Sequence, residues 1–584
     1  MVKISIDKLG EVSYENSPKI IDQYGLGNIF ILLLILEKIE SGELLLTDTV
    51  EVNEVIEKEG KDRASIGFKK HDRYSLATLI ELQVVTWAPD VSLLLAKLFR
   101  EKLKKSAQQT INTLLIENKL RENCCKNISG RVKRNDVQQF TINELKFLGE
   151  GFSKLTTQTS YYLSLREVYF KENLYKVPSY WSQHEENKNI VWKNNLIHLT
   201  HNQLIIVADA EDDLMRDKYL AKILLKEKNE KFYKTNENCQ AFDKEDVSIT
   251  ITGDTYPGEW YSNRRTGWDP LKNEGYDYSF KQVKKFFLKS DFNITNLETV
   301  LPKDINHSPL KRKKKFVLGG KAKNTLESLK KVGIDLVTLA TNHVGDYGSE
   351  GVRDTLESLD NYKINRIGSG FSEWESLRPF ILETTTQKIV IFNGYWYRRT
   401  QYLEYGMYSI DKHLGGNPLS EELCNAITDV KTENKSTKVI VIAHWGVDFM
   451  SVNNTQKIWA NKLTQAGADL IVGHGPHCLQ PVDIINEKDV LYSLGNFVFN
   501  SNGEYDTHPY ALPYGGILNI KLDNQSARLH LNFIMTDNNR TKFQPKKINK
   551  EDFNHILTNF GIDNLNALGW KINYRNLSIS KKIW

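Results

Sequence analysis

Ala468-Asp-Leu-Ile-Val-Gly-His-Gly-Pro-His477 is the stretch on which the reading of this chain turns. An apolar run, Leu470-Ile471-Val472, ends at a glycine, and His474 and His477 follow three residues apart. That pattern reads as a buried strand delivering imidazoles onto the loop at its carboxyl end, where open α/β sheets place their ligands. Neutral imidazoles on short, glycine- and proline-stiffened backbone suit a metal ion. A histidine pair alone is weak evidence, so the neighbouring segments decide.

Working outward, the same pattern recurs between residues 247 and 477, where strand-like and helix-like segments alternate as in an α/β sheet domain. Val247-Ser-Ile-Thr-Ile-Thr-Gly-Asp254 ends in a carboxylate that reads equally as a cation ligand or a cap. Phe292-Asn-Ile-Thr-Asn-Leu-Glu298 sends Asn296 and Glu298 to one face, and a glutamate among apolar residues is expensive to bury unpaired. Ile334-Asp-Leu-Val-Thr-Leu-Ala-Thr-Asn342-His343 closes on an amide oxygen fit for a metal, with His343 beside it as an acid. Lys438-Val-Ile-Val-Ile-Ala-His444 ends in another imidazole. Ligand types at five separate strand ends are hard to ascribe to chance. Oxygen and imidazole donors without thiolates suit Mn, Fe or Zn, one or two ions, in a hydrolase or phosphoesterase site. Tyr395-Trp-Tyr-Arg398-Arg399 reads as a substrate groove favouring carboxylate or phosphate, or as an ordinary strand-edge cluster.

These residues resemble the poly-γ-glutamate capsule biosynthesis (CapA) family, a branch of the calcineurin-like metallophosphatase fold. The resemblance covers about 248–500 and rests on "GDTYPGEW", "NLET", "TNHVGDYGSEGVRDTLESL", "AHWGVDF" and "QAGADLIVGHGPHCLQPV" with "VLYSLGNFVF". It implies a four-layer α/β/β/α sandwich with the site at the strand ends. It implies that Asp254 binds one metal and Glu298 bridges two. Asn342, His444 and His474 would hold the second metal, His477 would reach back to the first, and His343 would be the general acid. Where the wider fold uses Asp-x-His, the third position here is Tyr256, so the first metal has one imidazole fewer. The function implied is a metal-dependent hydrolase using a metal-activated hydroxide on an amide-linked or phosphorylated anionic small molecule, peptide or polymer. The alternative is a non-catalytic accessory protein of a capsule or peptide biosynthetic complex. Asn296, Arg398 and Arg399 are the candidate substrate contacts.

The chain has 584 residues, more than one core accommodates. Residues 1–240 form a first expected domain, 247–545 a second, and 546–584 an appendage with a helix around Asp552–Phe560. The eight-residue run Ile29–Leu36 reads as a core helix ending at Gly42, and Ser75 as the N-cap of another. "LEKIESGELLLTDTVEV" and "YSLATLIELQVVTWAPDVSLLLA" resemble segments of the α+β serine β-lactamase and penicillin-binding fold. The family's nucleophilic serine and its lysine fall on Gly25 and Asn28, the second motif on Thr86-Trp87-Ala88, and the third on Lys193-Asn194-Asn195. Without nucleophile and base, the resemblance implies the fold without acyl transfer, and a domain that docks a biosynthetic partner or covers the metal site.

A balance of 78 basic against 73 acidic residues gives no argument for nucleic acid. Lys311-Arg-Lys-Lys-Lys315 reads as a solvated loop rather than a polyanion patch. Five scattered cysteines and no secretion signal or span of ~20 apolar residues fit a cytoplasmic protein. Cys478 reads as a small buried residue rather than a ligand.

Overall fold

The computed structural model describes residues 2–7, 12–15, 21–22, 26–60, 65–120, 127–129, 139–140, 142–156, 159, 161–165, 167–170, 173–177, 179, 188–192, 195–199, 203–208, 210–225, 238–508, 511–524 and 526–584. The chain divides into two compact units, Met1–Lys228 and Asn229–Trp584.

The first unit is α+β. Its core helix, Gly27–Glu40, buries every residue from Ile29 to Leu36, which makes it an interior element rather than an amphipathic one. It ends at Ser41, and Gly42 follows at φ 74°. Ser75 caps Leu76–Thr86 by accepting from the Thr78 N–H at 3.2 Å, and a third helix, Pro89–Leu103, packs into the same core. A five-stranded antiparallel sheet runs in the order Val12–Glu15, Val2–Asp7, Gln203–Ala208, Asn195–Leu199, Lys188–Trp192. Where the resemblance places a lysine, Asn28 is buried, and its carbonyl accepts from Gln83 Nε2 at 3.4 Å. At the second motif, the Thr86 hydroxyl donates back to the Leu82 carbonyl at 2.7 Å. Gly25 and Lys193 lie outside the described residues.

In the second unit, five parallel strands lead into the site: β1 (Val247–Tyr256), β2 (Phe292–Leu297), β3 (Leu336–Thr338), β4 (Lys438–His444) and β5 (Leu470–His474). β1, β2 and β3 are neighbours in a ten-stranded sheet, and β4 and β5 are neighbours in a seven-stranded one. Ile249, Ile251, Ile294, Ile440, Ile442 and Val472 share one core cluster, so the two sheets bury their facing sides against each other. Each such side chain contributes roughly 1.5–3 kcal/mol on leaving water. Helices Ala322–Val332 and Gly348–Tyr362 pair with one another after β2 and β3, and Glu421–Glu433 pairs with Asn454–Ala466 around β4. This is the α/β/β/α sandwich expected.

Two boundaries differ from expectation. Cys239–Ala241, whose first two residues were expected to close the first domain, pairs in parallel with Phe380–Glu383 and so belongs to the second unit's seven-stranded sheet. Residues 546–584 are part of the sandwich rather than an appendage. Ser578–Ile583 lies antiparallel to Ser526–Met535, and the helix Lys550–Phe560 puts Phe553, Ile556, Leu557 and Phe560 into the shared core. Their i, i+3, i+4, i+7 spacing is one helix face, and the polar residues between them mask it in composition. Among the described residues no helix is long and apolar enough to cross a membrane.

Candidate metal centre

β1 must pass close under another strand to present its carboxylate. A Cβ on Gly253 would sit 1.8 Å from the Gly495 carbonyl oxygen, so only glycine fits there. The register between β1 and β2 shifts at that point, from Thr252 to Asp254, and the shift sets Asp254 opposite Asn296. Asn296 Nδ2 donates to Asp254 Oδ1 at 2.8 Å, and the Gly475 N–H donates to Oδ2 at 3.1 Å. Gly475 has φ 111°, and a Cβ there would meet the Trp445 carbonyl at 2.7 Å. The glycines in "TGD" and "GHGPH" are therefore steric requirements of the site.

His444 and His474 are register partners at the ends of β4 and β5, with their Nδ1 atoms 2.8 Å apart. His474 Nδ1 stands 3.4 Å from Asp254 Oδ1, and His477 Nδ1 stands 3.5 Å from Oδ2. Asn342 Oδ1 lies 3.0 Å from His444 Nε2. Glu298, which follows β2, is fully buried, and neither carboxylate oxygen has a hydrogen-bond partner. Its Oε1 instead faces His477 Nε2 at 3.7 Å, His444 Nε2 at 3.8 Å and His343 Nε2 at 3.9 Å. An orphaned buried carboxylate costs several kcal/mol unless something compensates it. Two donor groups form here, Asp254 with His444 and His474, and Asp254 with Glu298 and His477. Both fit a divalent cation bound by oxygen and imidazole. The carboxylate common to both is Asp254, where the resemblance implied Glu298.

The electrostatics agree. Burial, opposed by His477, pushes Asp254 up to about 6. Burial and the neighbouring charge of Asp254 push Glu298 well above the usual carboxylate range. Burial holds His474 down at about 3, and burial with the neighbouring imidazoles holds His444 well below its usual value. His444 and His474 are thus neutral, the form in which imidazole can bind a metal, and a cation is the charge that would ionise both carboxylates.

His343 sits on the rim of this cluster. Its Nδ1 lies 2.6 Å from Asp346 Oδ2. Asp346 also accepts from the Lys314 ammonium at 2.5 Å and from the Leu318 N–H at 2.6 Å. The Lys314 side chain is 8 % exposed and also donates to the Asn342 carbonyl. Burial would raise Asp346, but Lys314 and His343 outweigh it and hold the carboxyl below its usual value. Burial, then the charge of Lys314, lowers His343.

The structure brings Asp254, Glu298, Asn342, His343, His444, His474 and His477 together, with Asn296 behind Asp254. Asn296 was expected to touch substrate. It is 1 % exposed, with one end of its amide donating to Asp254 and the other accepting from the Thr338 hydroxyl at 3.0 Å, so it serves Asp254. Arg398 and Arg399 are exposed, and Arg398 reaches Tyr395, whose ring lies 5.4 Å from that of His444. Tyr256, at the position of the missing imidazole, is fully buried; its hydroxyl donates to the Gly319 carbonyl and accepts from the Trp260 N–H at 2.7 Å. Cys478 is buried, outside both donor groups, and its thiol is pushed up to about 12 by burial and Asp254. Sequence reading missed four groups. Asn496 Oδ1 lies 2.9 Å from His477 Nδ1, Asp346 and Lys314 flank His343, and exposed Asp448 adds negative charge at Asp254 and Glu298. The expectation that Lys311–Lys315 is wholly solvated fails at Lys314, because Asp346 draws its ammonium inside.

Residues 248–501 match the family model "Bacterial capsule synthesis protein PGA_cap". Among curated proteins, the chain is 27% identical over 262 residues to capsule biosynthesis protein CapA of Bacillus anthracis, covering 44% of this chain and 61% of that protein. It is 27% identical over 256 residues to PGA biosynthesis protein CapA of Bacillus subtilis strain 168, covering 44% and 63%. The match thus spans less than two thirds of either relative. Among solved structures, penicillin-binding protein 6B from Escherichia coli matches at 14% identity and a TM-score of 0.34, covering 39% of this chain and 76% of that one.

Proposed function

We propose, from the match of residues 248–501 to the bacterial capsule synthesis family model, that the second unit is a metal-dependent hydrolase acting on an amide-linked or phosphorylated anionic substrate. The observation that carries this reading is Glu298, a fully buried carboxylate with both oxygens unpartnered and three imidazole nitrogens within 3.9 Å. Asp254, Glu298, Asn342, His444, His474 and His477 would hold one or two divalent ions of the Mn, Fe or Zn type. Such an ion polarises a scissile bond and acidifies water. The chain's own residues do the rest. Asn296 and the Gly475 N–H aim Asp254. Asp346, by accepting from Nδ1, turns His343 Nε2 toward Glu298, and its negative charge supports the doubly protonated imidazole, which can give its Nε2 proton to a departing group and remain neutral with Nδ1–H. The low exposure of the cluster excludes bulk water and strengthens each charge interaction.

The test is metal content and turnover of an aryl phosphate and an anilide by the full chain, beside His474→Ala and Asn342→Ala. Both variants should lose bound metal and activity together. Stoichiometric metal retained in both would remove the site assignment. A non-catalytic accessory role is the second reading, favoured by Tyr256, whose hydroxyl is tied to backbone where an imidazole would complete the first metal. Less than one tightly held metal per chain would favour it.

A further inference from the structure

His477 holds a backbone conformation that a side chain disfavours. It stands at φ 59°, in the left-handed region where a Cβ crowds the backbone. Two bonds hold the chain there. The Phe449 N–H donates to the Pro476 carbonyl at 2.7 Å, and the buried Tyr505 hydroxyl donates to the carbonyl of His477 itself. Such strain persists only where the surroundings over-determine it, and it gathers at functional sites. The imidazole is fixed as firmly as the backbone. It packs on the rings of Phe499, 4.8 Å away, and Phe449, 5.8 Å away, and its Nδ1 lies 2.9 Å from Asn496 Oδ1. The Asn496 side chain also hydrogen-bonds to Tyr505.

These bonds close a circuit. The Tyr505 hydroxyl has one proton and gives it to the His477 carbonyl, so toward Asn496 it can only accept. Asn496 must then turn its NH2 to Tyr505 and its oxygen to the imidazole, and an oxygen there requires the proton on Nδ1. Nε2 keeps the lone pair and faces Glu298 Oε1 at 3.7 Å. Tyr505 lies in the turn Glu504–Thr507, outside the residues 248–501 that match the family model. We propose that Tyr505 is a positioning residue for the metal centre. Through the His477 carbonyl and Asn496 it holds His477 as the Nδ1–H tautomer, with Nε2 aimed at the place an ion would share with Asp254 and Glu298. The proposal rests on the metal-dependent reading for what Nε2 serves, while the tautomer itself stands apart from it. Groups that fix the tautomer of a ligating imidazole change metal affinity by about 10- to 100-fold.

The experiment is a double-mutant cycle on Co²⁺ affinity, measured by calorimetry on the chelator-treated full chain. Tyr505→Phe should weaken Co²⁺ binding roughly tenfold. In a His477→Ala background the same change should alter it by less than about twofold, because the route through the imidazole is gone. Tyr514→Phe removes the hydroxyl of another buried tyrosine, one bonded to Asp552 at 3.2 Å, and should leave affinity within about twofold of the native chain. Two-bond proton–nitrogen correlation of the histidine rings in the metal-free chain gives the second readout. His477, identified by its loss in His477→Ala, should be the Nδ1–H tautomer in the native chain and move toward Nε2–H in Tyr505→Phe. Tyr505→Phe/Asn496→Asp offers an oxygen at Nδ1 whichever way it turns, and should restore Nδ1–H. Equal losses in the two backgrounds, unchanged affinity in Tyr505→Phe, a native Nε2–H tautomer or a failed rescue would overturn the proposal. If the native chain takes up no Co²⁺, the metal reading fails, and the tautomer comparison still decides whether Tyr505 sets His477.

Discussion

Replacing Asp346 with asparagine separates two things that one carboxylate does. Asp346 is fully buried and holds a lysine whose side chain is 8 % exposed, so Asp346→Asn leaves an ammonium inside the protein with the Asn342 carbonyl and no counter-charge. Breaking a buried pair from one side costs about 3–5 kcal/mol, because the remaining charge keeps its desolvation penalty. The Leu318 N–H and His343 Nδ1 share Oδ2, so an amide oxygen placed there still accepts from both and turns its NH2 toward Lys314, and those two bonds add little to the loss. Lys314→Met/Asp346→Asn removes both charges and should recover most of the deficit, to within about 1–2 kcal/mol of the native protein. The second role is charge, since a neutral amide oxygen in place of Oδ2 still accepts from Nδ1 but no longer supports the doubly protonated imidazole that gives up the Nε2 proton. Turnover should fall by roughly 10²–10⁴ in both variants, the span of a general acid. Asp346 is outside the donor set, so bound metal should be unchanged. Urea unfolding, metal analysis, and kcat measured across leaving groups of rising pKa read the three effects separately. His343→Ala is the benchmark, with the same loss shrinking for a leaving group that needs no proton. The reasoning fails if Asp346→Asn unfolds within about 1 kcal/mol of the native chain, well under the penalty for breaking a buried pair. It fails too if the double variant is no more stable than the single, or if kcat does not move.

Two further predictions concern groups away from the metal. Burial pushes Glu259 up to about 7, and its Oε2 has no partner. The unfolded chain therefore releases that proton first, and stability falls as pH rises from about 4.5 to about 7, by at most about 3 kcal/mol. Glu259→Gln should match the native chain near pH 5 and exceed it at pH 8; a constant difference across that range would refute the assignment. In the first unit, Asn28 is buried under Gln83 and Thr86 is turned back onto its own helix. A fluorescent penicillin should therefore leave no covalent label on residues 1–240 in denaturing electrophoresis, and a stable label there would show that another residue serves as nucleophile.

What the sequence revealed follows from how loudly each element is written. β4 and β5 are runs of β-branched residues long enough to be buried strands, and each stops at a histidine, so position and ligand are given together. Asp254 was ambiguous because nothing local separates a cap from a ligand; Gly495, which forces Gly253 and the register shift, is far along the chain. Lys314 was hidden by its neighbours. In a run of five cations, composition predicts solvent for all, and only the tertiary position of Asp346 selects one for burial. The bond from Asn296 to Asp254 was hidden because a polar side chain at a strand end looks alike whether it meets substrate or orients the aspartate beside it. The final helix and strand escaped notice because amphipathic spacing shows a buried face without saying what covers it.

The bond from the Gly475 N–H to Asp254 joins residues 221 apart in sequence, and the two come from different sheets. The centre therefore has no local precursor. It comes into being only when both sheets have formed and docked, so formation of the centre reports completion of the fold. Contacts of such separation slow folding, since loop closure must precede any reward from them. A cation that recognises the finished cluster and not the open chain acts on that last step, adding about 2.7 kcal/mol of stability at a hundred times its Kd. Supply of the ion would then govern how much of the protein persists folded, as well as what the folded protein does.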